Sequence, residues 1–274
     1  MVRQAVFNLP RKKSARGARP CRTFSACYFR AAGGKGPLAV CSGIPRRERN
    51  RIIVTRTSVL TVPQHSPAEE LANSITHGIG AVLAVGALGV LTAFATLFGN
   101  AWHIISCSIF GITLIMLYTT SALYHSVQLP RAKVVLRVLD RSAVFLLIAG
   151  TYTPFVLVTV RGPWGWSIFA VVWTIALLGV IFQVSLLRRW PVASVGLYVG
   201  MGFIIVIVIK ELLASLNPAG VLLLVTGGAV YILGLLFYGW RRLPYHHAVW
   251  HLFVLAGSTL HFFAILLYVI PVLA

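Results

Sequence analysis

The sequence predicts an all-α, polytopic membrane protein: a bundle of seven transmembrane helices with the N-terminus in the cytoplasm and the C-terminus outside. Three observations carry that reading. Charged residues make up 11% of the 274-residue chain, where a soluble domain holds about a quarter. From residue 70 onward the chain is a series of apolar runs, each near the roughly 20 residues that a bilayer-spanning helix needs. Basic residues then collect in alternate connections between the runs, as they do in cytoplasmic loops.

Seven spans are predicted, at about 75–97, 102–124, 135–159, 165–187, 192–213, 219–240 and 247–271. The breaks between them are short and hold turn residues, such as Phe98-Gly99-Asn100, Arg161-Gly162-Pro163 and Ser215-Leu216-Asn217-Pro218. Connections this short make successive helices antiparallel neighbours. The even-numbered loops hold Arg131, Lys133, Arg188, Arg189, Arg241 and Arg242, whereas the odd-numbered loops hold only Arg161. This bias sets the N-terminus inside. Thr151-Tyr152-Thr153-Pro154 predicts a proline kink in the third helix. Trp164, Trp166 and Trp250 read as anchors at the membrane interface.

Residues 1–62 read as a separate basic tail without structure, and residues 63–274 as the membrane domain. Residues 1–60 hold fourteen of the 24 Lys and Arg and a single acid, Glu48. The tail is rich in Arg, Gly, Ser and Pro and lacks a strong apolar period. It resembles a mitochondrial transit peptide in composition. The alternative is an upstream extension of the true start, since no Met lies between Met1 and Met116. Topology and anionic lipid explain its charge more simply than nucleic acid does. The expected partner is therefore the lipid bilayer, with no nucleic acid; oligomeric state is not legible. Cys21, Cys27 and Cys41 match no common zinc spacing, Cys107 lies in an apolar helix, and the thiols are expected to be reduced.

Ionisable residues inside a span are costly, so each is a functional candidate. His125 and Ser121 fall at the inner end of helix 2. Asp140 falls about 9 Å into helix 3 at 1.5 Å per residue. His247 and His251 fall in the first turns of helix 7, and Glu69, Glu70, Asn73 and His77 begin helix 1. All lie at one depth. His247 and His251 are four residues apart, stacked on one helix face where they can share a metal. His125 would complete three ligands and leave a fourth position for water, the catalytic form of a zinc site. Asp140 could then act as general base, with Ser121 hydrogen-bonding beside it.

Two other readings stay open on these residues. One is a hydrogen-bonded polar plug that packs the helices; the other is a proton or ion path, against which the outer halves of the helices are almost wholly apolar. Asn73 and His77 are candidates for supporting the site from behind. Glu69 and Glu70 read as a helix-start feature. Arg137 and Arg141 flank Asp140 and could pair with it. His246 points about 100° away from His247 and reads as interfacial. His261 lies about 15 Å deeper than His251 and reads as a buried hydrogen-bonding residue. His65 and His103 are set aside.

Together, Glu69-Glu70-Leu71-Ala72-Asn73-Ser74-Ile75-Thr76-His77-Gly78, Ser121-Ala122-Leu123-Tyr124-His125, Asp140-Arg141-Ser142, Gly150-Thr151-Tyr152-Thr153-Pro154 and His247-Ala248-Val249-Trp250-His251 resemble the hemolysin III proteins. These are the bacterial branch of the progestin and adipoQ receptor family, which is related to alkaline ceramidases. The resemblance covers about residues 66–272. It implies a seven-helix bundle in the bacterial inner membrane, with zinc on His125, His247 and His251 and with Ser121 and Asp140 close by. It leaves three functions to weigh: a zinc-dependent hydrolase of a lipid amide or ester, a cytolytic hemolysin, and a receptor or sensor without turnover. Site chemistry favours the hydrolase, with a lipid substrate that the residues do not identify.

Overall fold

The computed structural model describes residues 65–185 and 190–271. The tail, with Cys21, Cys27 and Cys41, lies outside these residues, as do the loop arginines Arg188 and Arg189. The described residues are helical, without strands. Seven helices are long and apolar enough to cross a membrane: α1 (Pro67–Phe98), α2 (Ala101–Ser126), α3 (Pro130–Val160), α4 (Gly162–Ser185), α5 (Val192–Ser215), α6 (Pro218–Gly239) and α7 (His246–Val269). This is the predicted fold class.

The helix starts follow local chemistry. Pro67, Pro130 and Pro218 occupy first-turn positions, where a missing N–H costs nothing and the fixed φ suits a helix. Asn100 caps α2 through the Trp102 amide at 3.0 Å, and Asn217 caps α6 through Ala219 at 2.9 Å. α1 begins two turns earlier than the span predicted from residue 75. The Glu69 amide donates to Ser66 Oγ at 3.2 Å, and the Ser66 amide donates to Glu69 Oε2 at 2.9 Å. This reciprocal cap satisfies two free donors, so the helix forms through residues too polar to count as membrane-spanning.

After Pro154 the backbone passes from α-helix into a π-helical turn over Phe155–Val160, a departure from the regular α ladder next to a residue that supplies no N–H. α5 has a 3₁₀ stretch at Ile204–Val208, and α7 ends in a π turn at Ile265–Val269.

α1 packs on α2 and α7, α2 also on α3, α3 on α4, and α6 on α7. α5 leans on α3 and α4 and meets α6 chiefly near the turn that joins them. Phe110, Leu114, Leu117 and Tyr118 of α2 form the main core with α1 and α7, and Phe145, Val156 and Val172 centre a second cluster between α3 and α4. Leu71, Val82, Ile181, Leu222 and Leu236 point outward, as apolar side chains do against lipid. Trp164 and Trp166 are about half exposed. Trp250, half-buried, packs on α6 against Gly234 and Tyr238.

Candidate metal centre

The side of the bundle where α1 begins gathers the polar residues. His125 stands in the last turn of α2, 1% exposed. Its Nδ1–H donates to Glu70 Oε2 of α1 at 2.6 Å. The other Glu70 oxygen accepts from Lys133 Nζ of α3 at 2.7 Å. Asn73 Nδ2 lies 3.4 Å from the same His125 nitrogen. With Nδ1 committed to a carboxylate, His125 Nε2 carries the lone pair, buried and without a hydrogen-bond partner among the described residues.

His251, on the second turn of α7, is held in a similar way. Thr76 Oγ1 donates to the carbonyls of Ala72 and Asn73, each at 2.9 Å. Its oxygen is then free to accept from His251 Nδ1–H at 3.1 Å, and the Asn73 carbonyl accepts from the same nitrogen at 3.2 Å. Two acceptors on Nδ1 fix the tautomer and leave Nε2 as the lone-pair nitrogen. His247, one turn earlier, lies 4.6 Å from His251 and 5.1 Å from His125 between ring centroids. His125 and His251 are 5.2 Å apart. One nitrogen from each of the three falls within 4.8 Å of the others.

The donor set fits a metal. Two of its imidazoles, His125 and His251, have one nitrogen held by carboxylate, carbonyl or hydroxyl oxygens, which leaves the other as an acceptor, as around metal-bound histidines generally. Three imidazoles also suit a borderline cation such as zinc.

Asp140 is half-buried, and Ser121, one turn before His125 on the same face of α2, is 1% exposed. Ser121 and Asp140 share the cavity wall, and the Asp140 carboxylate lies within Coulombic reach of His125 and Arg141. Arg137 and Arg141 line the cavity alongside. Of the two supporting candidates, Asn73 contacts both His125 and His251. His77 stacks on His251 with ring centroids 3.5 Å apart and has no hydrogen-bond partner on either nitrogen among the described residues.

The structure adds residues that the sequence reading assigned elsewhere. Glu70 is a partner of His125 as well as a helix-start acid. Lys133, counted only as a topology charge, is 8% exposed beneath it. His65 stacks on His247 at 5.2 Å, and burial holds its imidazole below the ordinary value. Its position two residues before the start of α1 was the available signal. His246 lines the cavity, 6.0 Å from His65. Glu69 accepts from the Tyr245 amide at 3.3 Å. Tyr245 sits at φ 55°, a left-handed conformation rare for a side chain of its size, directly before α7. The start of α1 is thereby tied to the start of the helix that carries two of the histidines. His103 caps α2 at the other end of the bundle, and His261 donates from Nε2 to the Leu224 carbonyl at 3.1 Å.

A cavity of about 1370 Å³ opens from the histidines. His247, His251, Ser121 and Asp140 stand in its wall at one end, and the remainder is mainly apolar side chains of α3, α5, α6 and α7. It runs between α5 and α6, where those helices diverge.

A profile of the haemolysin-III related family matches residues 65–262. Hemolysin-3 of Bacillus cereus is 46% identical over 203 residues, covering 74% of this chain and 93% of the relative. A Hemolysin-3 homolog of Bacillus subtilis (strain 168) is 45% identical over 204 residues, covering 74% and 96%. The human monocyte to macrophage differentiation factor is 28% identical, covering 72% and 83%. The match spans all seven helices and the histidine cluster, and the chain thus belongs to the haemolysin-III related family, as a multi-pass integral protein of the bacterial plasma membrane.

Proposed function

We propose that this protein is a zinc-dependent hydrolase of a lipid amide or ester, working from the cytoplasmic side of the membrane. One observation carries the reading: three imidazoles, with one nitrogen of each within 4.8 Å of the others, stand near Asp140 and Ser121 at the wall of a lipid-sized, mainly apolar cavity. His125, His247 and His251 would hold the ion, which supplies Lewis acidity and lowers the pKa of water to around 7.

The chain's own residues have separate tasks. Asp140 would take the proton of an attacking water and return it to the departing amine or alcohol. Ser121 would orient that carboxylate by a hydrogen bond. The apolar walls bind acyl chain and keep bulk water out, which strengthens every electrostatic interaction at the polar end. A lytic function draws only on the names of the two Bacillus relatives, whereas the hydrolase reading draws on the site itself.

The test is zinc per chain in detergent-purified protein, joined to hydrolysis of ceramide and of ester lipids. Wild type should hold one zinc, and His251→Ala should lose it. Asp140→Asn should keep the zinc and lose about 10²–10⁴ in rate, the usual contribution of a general base. Zinc-free wild type would sink the metal reading. Zinc-loaded protein inert on every lipid would leave a binding or sensing role instead.

A further inference from the structure

Two of the three clustered histidines are held by a helix that contributes none of them. Glu70, Asn73 and Thr76 follow at three-residue intervals along α1, close to one face. Glu70 accepts from His125 of α2, while the Asn73 carbonyl and the Thr76 hydroxyl accept from His251 of α7. α1 acts as a jig for its two neighbours.

Glu70 stands apart within this set because it is a carboxylate, 6% exposed, whose charge is answered by Lys133 at 2.7 Å. Lys133 itself lies 5.3 Å over the Tyr124 ring. Three helices therefore meet on one buried ion pair. Packing alone does not explain it, since well-packed apolar side chains commonly do as well as a buried pair. Helix capping does not explain it either. Ser66 and Glu69 form the α1 cap, and both Glu70 oxygens accept from other helices.

We propose that Glu70, locked in place by Lys133, is a positioning residue of the metal centre. By accepting the Nδ1–H it fixes the His125 tautomer, aims the buried Nε2 lone pair at the centre and strengthens that nitrogen as a donor. Lys133 holds the carboxylate in one rotamer, with one oxygen for each partner. The proposal rests on the metal reading above.

The test uses the full-length protein in detergent, stripped of metal, with zinc and cobalt(II) affinities measured by chelator competition. Glu70→Gln should bind about 10- to 100-fold more weakly, the usual effect of losing such a partner, and should shift the cobalt(II) absorption bands. Glu70→Asp should recover part of the loss. The pair Glu70→Leu with Lys133→Met leaves no lone buried charge. It should unfold at the wild-type temperature and still bind metal weakly, a separation that a purely structural role would not give. Wild-type affinity in that double variant would overturn the proposal and leave the metal centre intact. Glu70→Gln serves the same comparison if the double variant fails to fold. Wild type without measurable zinc affinity would overturn both.

Discussion

Gly227→Ala tests how α7, the helix with two of the histidines, is held against α6. A Cβ on residue 227 would lie 2.4 Å from His261 Cδ2 and 2.5 Å from His261 Nε2, with the Gly257 carbonyl oxygen at 3.2 Å. Ordinary contact needs about 3.5 Å or more, so the ring or the helix must retreat by about 1 Å. The ring cannot retreat freely. Its Nε2–H bonds to Leu224, and Tyr231 lies 5.4 Å away on α6. Overpacking of this kind costs about 1–3 kcal/mol, and loss of the Leu224 bond about 1 kcal/mol more. Alanine returns about 1 kcal/mol of helix propensity, which leaves a net destabilisation of about 1–3 kcal/mol. The assay is thermal unfolding in detergent at fixed protein and lipid concentration. A fall of several degrees is expected, at about 2–4 °C per kcal/mol for a chain of this size. Adding His261→Ala should relieve the clash and restore part of the loss. A Gly227→Ala protein as stable as wild type would refute the close approach of α6 and α7 at this point.

Three further outcomes follow from the site and the topology. Metal retention should fall with acid, because imidazole binds metal only when neutral: zinc should stay bound at neutral pH and be lost as the imidazoles are protonated, read as zinc per chain after dialysis from neutral pH down to about pH 4. Tyr245→Gly should unfold slightly later than wild type, by roughly 1 kcal/mol, because glycine adopts φ 55° without the steric cost that tyrosine bears; unchanged or lower stability would mean that the tyrosine ring contributes more than its backbone costs. For membrane sidedness, single cysteines at Asn100 and Arg241, in a background with the native cysteines replaced, should label from outside and inside respectively; the reverse would turn the bundle over and put the histidine cluster at the outer face.

The spans were legible because seven runs of apolar residues admit few other structures in lipid. What hydropathy missed is informative. It began the first span near residue 75, since it counts Glu69, Glu70 and Asn73 as losses, whereas the helix starts on the Ser66–Glu69 cap. It also missed the 3₁₀ stretch of α5, because Ile204–Val208 is as apolar as its surroundings. His125, His247 and His251 could be found by helical spacing and shared depth, properties that depend on one helix at a time. Glu70 and Lys133 could not. Their roles require knowing that α1 meets α2 and α3 in a register that pairs residues 55 and 63 positions apart. The packing of Trp250 was hidden for a related reason: its neighbour in space is Gly234, on a helix whose approach no single span reveals.

The same geometry bears on the choice between a metal and a polar plug. A plug lowers the energy by pairing donors with acceptors. Here the outward nitrogens of His125 and His251 already donate, to Glu70 and to Thr76 with Asn73. Both rings therefore turn acceptors toward one another, and two acceptors cannot bond each other. His247 can offer at most one N–H when neutral and so can satisfy only one of them. The remaining acceptor would cost about 1–3 kcal/mol in a buried site, in a bundle that offers hydroxyls nearby. A cation with three open coordination positions meets all three nitrogens at once. Glu70 adds negative charge next to that cation, beyond the partner it gives to His125 and Lys133. On this arithmetic the three neighbouring imidazoles favour a metal over a plug.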